Sequence, residues 1–567
     1  MNPLPENISS HTQDLTRALF DFFASREKKE FHLILRNLLN KLVCMQIERG
    51  RGFLNPQEIS GITENPLDLH AVGTVDEFCP LVITKQGRLY FRKSYEYEFG
   101  IARFFTSQVE VLDSLDLEKA ERFFNDHLKG TVDEYQALAI AQAMIKKWSI
   151  LSGGPGTGKT RTLVVLLIML LEIEPDFHVA MVAPTGKAAY RLQQSVADTV
   201  NRLSLNEELT ARLSVLTQTS TLHRLLGFVR GSVDFRRNAN NPLPHDLVVV
   251  DEASMVDLPL MAKLLDALKP TARLILSGDS DQLSPVQGGG VFNALAKGGE
   301  LNKFEPNDLP LLKRFSSVAE VSASQSQNPL LGHVVALQQS HRQDTDQAGK
   351  NISEFCRMIK EGKDEDAKSF VLADNPGVEM ISSVKDSRVG QLIKEGFSAL
   401  GNAESPEEAL LGLRKFRILC PHNLGKYGVD LWNQKAGNQL QSFNNQFLPV
   451  VIQTNDYGVD LYNGDDGVVT GDKAFFSNAH EEREIPKARL PKYDDAFALS
   501  IHRSQGSEYD QVMIILPPPE AKLLNRELLY VAASRAKSGI ILVGDPESIG
   551  FAVQQEAEKQ CGVVELM

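Results

Sequence analysis

Gly153-Gly154-Pro155-Gly156-Thr157-Gly158-Lys159-Thr160 follows the pattern G-x-x-x-x-G-K-[ST], that of a loop that cradles phosphates. Its glycines let the backbone curl around an anion. Its amide N–H groups and the positive end of the following helix face the negative charge. Lys159 reaches the outer phosphates, and the Thr160 hydroxyl is a ligand for Mg²⁺. Further on, Leu247-Val248-Val249-Val250 runs into Asp251-Glu252. An acidic pair at the C-terminal end of a buried strand lies where open α/β sheets hold ligands. There Asp251 holds Mg²⁺, directly or through water, and Glu252 orients and deprotonates the attacking water. Gln282, in Gly278-Asp279-Ser280-Asp281-Gln282, stands at another strand end and is placed to sense the γ-phosphate. Gln136, upstream of the loop, has a two-sided amide able to read an adenine edge, although a glutamine on a helix surface is the ordinary case. Arg342 and Arg535 are the cations that could stabilise charge in the transition state, each an ordinary surface arginine when taken singly. The expected substrate is ATP with Mg²⁺.

Positioning these residues requires particular elements. Residues 148–152 (WSILS) form a short buried strand before the loop, and residues 160–172 (TRTLVVLLIMLLE) are an apolar run too long for a strand, hence a helix. Residues 133–144 open another helix. Further strands are expected over 178–183, 247–250 and 273–277. A second set lies at 416–420, 497–501, 512–516 and 540–543, with a helix over 527–537. Strands alternating with helices imply parallel sheets. The expected class is therefore α/β, with two parallel-sheet units. Only the first carries a phosphate loop, so ATP lies in the cleft between them.

The expected organisation is a helical N-terminal domain over residues 1–110 for docking a partner, a first α/β domain over 111–345 and a second over 346–567. Leucines and phenylalanines at helical spacing mark the N-terminal domain, for example Leu35, Leu38, Leu39 and Leu42. An Arg/Asn-rich polar segment at 227–245 reads as a β-hairpin insert. Asn-Gly and Asp-Gly pairs mark tight turns within 441–490, a β-rich insert that reads as a small barrel.

Composition agrees with a globular enzyme: 567 residues, 42% hydrophobic and 23% charged. No uninterrupted apolar run is long enough for a membrane helix, and no export signal opens the chain. The five cysteines are dispersed without a C-x-x-C pair, which points away from zinc and iron–sulfur sites and toward a reducing cytoplasm. A net charge of −13 is not that of a domain binding nucleic acid by electrostatics alone. A motor gripping a few phosphates in a local groove is compatible with it.

The motifs GGPGTGKT, APTGKAAYRL, TLHRLL, DEASM, GDSDQLSPV, LQQSHR, SIHRSQGSEYD and LLYVAASRAK occur in that order. Together they resemble the superfamily-1 DNA helicases of the RecD type, over about residues 130–545, which implies that the two α/β units are RecA-like parallel-sheet motor domains. The resemblance implies 5′ to 3′ movement on DNA and makes Gln136 the adenine reader and Arg342 and Arg535 the finger arginines. It implies that Thr185, His223 and the loop His502-Arg503-Ser504-Gln505-Gly506 line the single-strand track. The 227–245 hairpin would split strands, and the β-rich insert would be SH3-like. The segment LYFRKSYEYE resembles one in the RecD subunit of the RecBCD nuclease–helicase, with Lys93-Ser94 where a tyrosine usually follows the arginine. Stand-alone relatives usually carry a longer N-terminal region with helix-hairpin-helix repeats, which is not found here. The implied partners are DNA ends and RecB-like and RecC-like subunits in a heterotrimer acting in recombinational repair. No nuclease carboxylate cluster is evident, so exonuclease activity would belong to a partner. The rival readings are a stand-alone 5′ to 3′ helicase and a P-loop ATPase switch that is no motor.

Overall fold

The computed structural model describes residues 10–567 apart from 49, 108–115, 204–209, 211, 214–218, 230, 286–287, 319–321, 325, 340–345, 442–445, 457, 460, 478–481, 522 and 557–560. Near the N-terminus the helices Ser10–Ala24 and His32–Glu48 precede four short strands. These are β1 (Phe53–Leu54), β2 (Val72–Thr74), β3 (Leu81–Ile83) and β4 (Leu89–Phe91), in the order β1-β4-β3-β2. Leu35, Leu38, Leu39 and Leu42 pack beneath them on Leu54, Leu81 and Leu89. The region is thus not helical alone. Strands of two or three residues are too short to show alternation in a sequence.

The next helix, Arg92–Ser107, falls within the span expected for the N-terminal domain but packs elsewhere. Its Ile101, Ala102 and Phe105 are buried in the first motor core. The Phe105 ring meets Trp148 edge-on, 4.7 Å between centroids.

Strands β5 (Trp148–Ser152), β6 (Val179–Ala183), β7 (Ser220–Thr221), β8 (Leu247–Val250) and β9 (Arg273–Gly278) follow. The minor pair β10 (Lys303–Phe304) and β11 (Ser322–Ala323) comes next, and then β12 (Val334–Ala336). Six of them form one sheet in the order β12-β5-β9-β8-β6-β7, parallel throughout. β5, β8 and β9 are buried at every position, because helices cover both faces of such a sheet. The helices Glu134–Ile145, Lys159–Ile173 and Gly186–Arg202 pack on one face. Leu258–Ala267 and Val291–Gly298 pack on the other, together with Arg92–Ser107. Every residue from Thr162 to Leu171 is buried, which explains the unbroken apolar run.

The second sheet uses β13 (Val378–Ile381), β14 (Phe416–Cys420), β20 (Ala498–Ser500), β21 (Tyr509–Ile515) and β22 (Ala536–Val543). Between β14 and β20 the chain inserts β15 (Leu448–Ile452), β16 (Asp466–Thr470), β17 (Lys473–Ser477), β18 (Glu482–Pro486) and β19 (Tyr493–Asp495). The parallel sheet has the order β13-β22-β21-β14-β20, and the insert is an antiparallel sheet in the order β18-β17-β16-β15-β19. The insert's last strand ends at Asp495, beyond the expected limit of 490. Among the described residues, the expected hairpin at 227–245 holds only isolated antiparallel bridges, Phe228↔Phe235 and Asn238↔Asn241. Its polar side chains bond locally instead, as Asn241 does to the Arg236 carbonyl. The C-terminal helix Val563–Leu566 returns to the first motor core, where Val563 is buried.

Candidate active site

β5 delivers the chain into the glycine-rich loop, and Gly158 starts the helix Lys159–Ile173 with φ 78°, a left-handed conformation that favours glycine. Gly153 is needed for space: a Cβ there would lie 2.6 Å from Thr157 Oγ1. That hydroxyl donates to the Gly154 carbonyl at 2.8 Å, so the loop is stapled by its own side chain. Lys159 Nζ donates to the Gly153 and Gly154 carbonyls at 2.6 and 3.2 Å, which holds its charge over the cradle.

Gln136 has a different place from an exposed adenine reader. It is 1% exposed. Its Oε1 accepts from the Asp133 N–H at 3.1 Å, and its Nε2 donates to the Thr157 carbonyl at 3.0 Å. Both ends of the amide are engaged in tying the N-terminus of Glu134–Ile145 to the loop.

At the end of β8, Ser277 Oγ donates to Asp251 Oδ1 at 2.8 Å. Glu252 follows with φ 51°, a strained conformation for a residue with a side chain. Burial and the Asp251 carboxylate push the Glu252 carboxyl up, against the pull of Lys159, Arg535 and Arg191. A carboxyl raised in this way moves toward the range useful to a general base near neutrality.

A cleft of roughly 1200 Å³ opens between the two parallel sheets. Pro155, Gly156, Gly158, Lys159, Thr160, Asp251, Glu252 and Gln282 line it from the first sheet, and Ser507, Arg535 and Lys537 from the second. Arg535 closes the helix Arg526–Ser534. Its guanidinium is held by the Val531 and Ser507 carbonyls and Ser534 Oγ, at 3.1, 3.2 and 3.0 Å. Arg342 lies outside the described residues. Thr160 and Asp251 offer a hydroxyl and one carboxylate. That set fits Mg²⁺, which is usually held by one or two carboxylates together with substrate phosphates. Among the described residues no group of three or more His, Cys, Asp or Glu could hold a metal by itself.

Several contacts between the two motor domains escape the sequence reading. The Tyr530 hydroxyl donates to Asp279 Oδ2 at 3.0 Å, and Lys360 pairs with Asp281 at 2.6 Å. Both contacts join the second motor domain to the loop after β9. Tyr530 stands within LLYVAASRAK and Asp279 within GDSDQLSPV, so their motifs are visible while their pairing is not. Arg191, on the helix Gly186–Arg202, also lines the cleft.

The residues expected along a DNA track divide into two groups. Thr185 and His223 lie beside each other at the ends of neighbouring strands, since β6 and β7 pair at Ala183↔Thr221. Thr185 Oγ1 caps Gly186–Arg202 by accepting from the Ala188 N–H, and His223 belongs to the short helix Leu222–Leu226. The turn His502–Ser504 follows β20 in the other sheet. Two of its residues make internal contacts in this structure. Ser504 is 0% exposed and its hydroxyl donates inward to the Ile501 carbonyl at 2.7 Å. Gln505 Nε2 donates across the cleft to the Leu283 carbonyl at 3.4 Å, so it joins the two motor domains. Arg503 pairs with Asp494 of the insert at 3.2 Å. The insert also meets the first domain directly: Lys187 pairs with Asp466 at 2.6 Å, and the Tyr462 ring lies where a Cβ on Gly186 would stand.

Two family models match the chain, the AAA domain over residues 136–288 and the UvrD-like helicase C-terminal domain over residues 495–543. The RecBCD enzyme subunit RecD of Haemophilus influenzae is 32% identical over 542 residues, covering 87% of this chain and 82% of that protein. The chain belongs to the RecD family. The RecD subunit of Mycolicibacterium smegmatis is 34% identical over 459 residues, 77% of this chain and 75% of that one. The ATP-dependent RecD2 DNA helicase of Deinococcus radiodurans is 28% identical over 443 residues, 76% of this chain and 51% of that protein. Within this RecD-family chain the AAA match spans the loop, the acidic pair and Gln282. The helicase C-terminal match spans His502–Ser504, Tyr530 and Arg535.

Proposed function

We propose that this ATP-dependent DNA helicase moves 5′ to 3′ along single strands as the motor subunit of a RecBCD-type complex. RecB-like and RecC-like subunits complete the heterotrimer, which processes double-strand DNA ends for recombinational repair in the cytoplasm. The observation that carries the motor reading is the cleft itself. Phosphate loop and acidic pair stand on one sheet and Arg535 on the other, so both domains bear on one nucleotide.

ATP lays its phosphates on residues 153–160. Lys159 exchanges the Gly153 and Gly154 carbonyls for phosphate oxygens. Thr160 and Asp251 would hold Mg²⁺, which would supply positive charge to the phosphates. Glu252 takes a proton from the attacking water, and Arg535 stabilises the charge that develops on the transferred phosphoryl group. Opening and closing of the cleft then moves the two domains along a strand held by Thr185, His223 and the His502–Arg503 turn. No helix among the described residues is long and apolar enough to cross a membrane, which suits an enzyme that meets DNA.

The second reading is a helicase that works alone. The Deinococcus relative, named as a helicase rather than as a subunit, favours it. Purification from native extract separates the two. The chain is expected in a stoichiometric assembly with two further subunits, unwinding duplexes with 5′ tails. A single-chain species that unwinds by itself contradicts the subunit reading, and preference for 3′ tails contradicts the direction.

A further inference from the structure

One carboxylate of the β-rich insert stands among cations from both motor domains. Asp466 opens β16. Its Oδ1 accepts from Lys187 Nζ at 2.6 Å, and its Oδ2 accepts from the Arg417 guanidinium at 2.9 Å. Lys187 lies in the first turn of Gly186–Arg202 in the first domain, and Arg417 lies on β14 in the second. Burial opposes ionisation of Asp466. Lys187, Arg417 and Arg191 outweigh it and hold the carboxyl well below the usual carboxylate range.

The two ends of this bridge differ. Arg417 is 0% exposed and is also held by the Ala496 and Leu413 carbonyls, with its guanidinium 5.0 Å from the Tyr509 ring centroid. That end is fixed. Lys187 lines the cleft, and Asp466 is its one hydrogen-bond acceptor among the described residues. A partly exposed ion pair is weak, so this end can exchange. The position also calls for an anion. The N-terminal end of a helix is positive, Lys187 adds a charge to it, and the first turn holds no acidic residue. The insert covers the same spot with a ring: a Cβ on Gly186 would lie 2.6 Å from Tyr462. The Tyr462 backbone is fixed in turn, its N–H donating to Asp465 Oδ2 at 2.7 Å.

We propose that Asp466 stands in for a strand phosphate, holding Lys187 while the chain is free of DNA and yielding it when a strand enters. Tyr462 then leaves Gly186, and the insert stays tied to the second domain through Arg417. This rests on the reading of Thr185, which caps the same helix, as part of the strand track. A carboxylate and a phosphate both offer anionic oxygens to the ammonium, so the exchange replaces one ion pair with another. The insert thereby competes with the strand and lowers its affinity.

The test uses the full chain in its native assembly and compares wild type, Asp466→Asn, Lys187→Met, the double variant and Tyr462→Ala. Affinity for a single-stranded oligonucleotide is measured by fluorescence anisotropy across a salt titration, with thermal melts alongside. Asn keeps an oxygen for Arg417 but no charge for Lys187. Asp466→Asn is expected to bind about fivefold more tightly, the worth of a partly exposed ion pair. Lys187→Met is expected to bind more weakly, with a salt slope smaller by about 0.7. The double variant is expected to stay within about twofold of Lys187→Met, because Asp466 acts through Lys187. Tyr462→Ala uncovers Gly186 without touching Arg417 and is expected to bind about twofold more tightly; it decides alone if Asp466→Asn does not fold. Unchanged or weaker binding in Asp466→Asn and Tyr462→Ala overturns the proposal. So does a double variant as tight as Asp466→Asn, since the effect would then not pass through Lys187. His223→Ala in the same assay separates the two levels. If it and Lys187→Met both bind like wild type, the reading of the track fails. If His223→Ala weakens binding while Asp466→Asn and Tyr462→Ala do not tighten it, only the competition is refuted.

Discussion

Glu252 is strained, crowded by a second carboxylate and faced by cations from both motor domains. Such a residue persists where the surroundings over-determine it, and its nearness to Asp251 separates two roles. Glu252→Gln removes the base and leaves the metal-side carboxylate, so ATP should bind with little change. Turnover should fall by about 10²–10⁴-fold, the range for a lost general base. Steady-state kinetics and analogue binding on the variant check this, and near-normal turnover contradicts the role. The loop, the acidic pair, Gln282 and Arg535 are legible in the sequence because each lies in a short motif of fixed chemistry, and the structure brings them to one cleft. The Tyr530–Asp279 bond is not legible, because it joins positions 251 residues apart. Gln136 and Ser504 show the opposite limit. Their motifs are plain, but the motif alone does not show that the Gln136 amide is engaged at both ends or that Ser504 points inward.

At the scale of elements, the apolar runs announce themselves: β5, β8, β9 and β14 are strands buried at every position, as is β21 from Val512 onward. β13 reads Val378-Glu379-Met380-Ile381 at a sheet edge, with a charged residue and too little length to stand out. The helix Arg92–Ser107 carries the other lesson. Its face toward the C-terminal segment buries Glu98, where Tyr90 and the Gly562 backbone meet it, while Arg88 pairs with Glu565. Burial pushes the Glu98 carboxyl up to about 7, outweighing the Gly562 N–H, the Tyr90 hydroxyl and Arg88. The folded state thus binds this proton more tightly than the unfolded chain. The stability it contributes is fully present below the ordinary carboxylate range near 4.5 and is lost as pH rises through about 7. Melting temperature should therefore fall between pH 5 and 8, by an amount on the order of 1–3 kcal/mol in stability. Glu98→Gln should flatten that fall. An equal pH slope in the variant, followed by thermal melts, would assign the effect to other groups.

At the scale of the whole molecule, the helix Arg92–Ser107 and the C-terminal helix both pack on the first motor domain, so cutting the chain at residue 110 cuts into a core. A chain beginning at Arg92 keeps the helix Arg92–Ser107 and should retain DNA-stimulated turnover while losing its partner subunits, if the preceding residues are the docking surface. A chain beginning at residue 108 loses Ile101, Ala102 and Phe105 from the core and should not fold stably; co-purification and thermal melts distinguish the two. The net charge of −13 predicts a modest grip on single strands that rests on few contacts. Affinity should fall with salt at a slope of about −0.7 per neutralised phosphate, with weak sequence preference. Salt titration of binding to two unrelated oligonucleotides tests both statements. The central claim is that the cleft between the sheets is the engine, and Lys159 tests it most directly. Among the described residues the side chain hydrogen-bonds only to loop carbonyls, so Lys159→Gln should leave the fold intact. ATP turnover stimulated by single-stranded DNA, measured on wild type and Lys159→Gln, should fall by about 10²–10³-fold in the variant; turnover close to that of wild type would place the chemistry elsewhere and contradict the account.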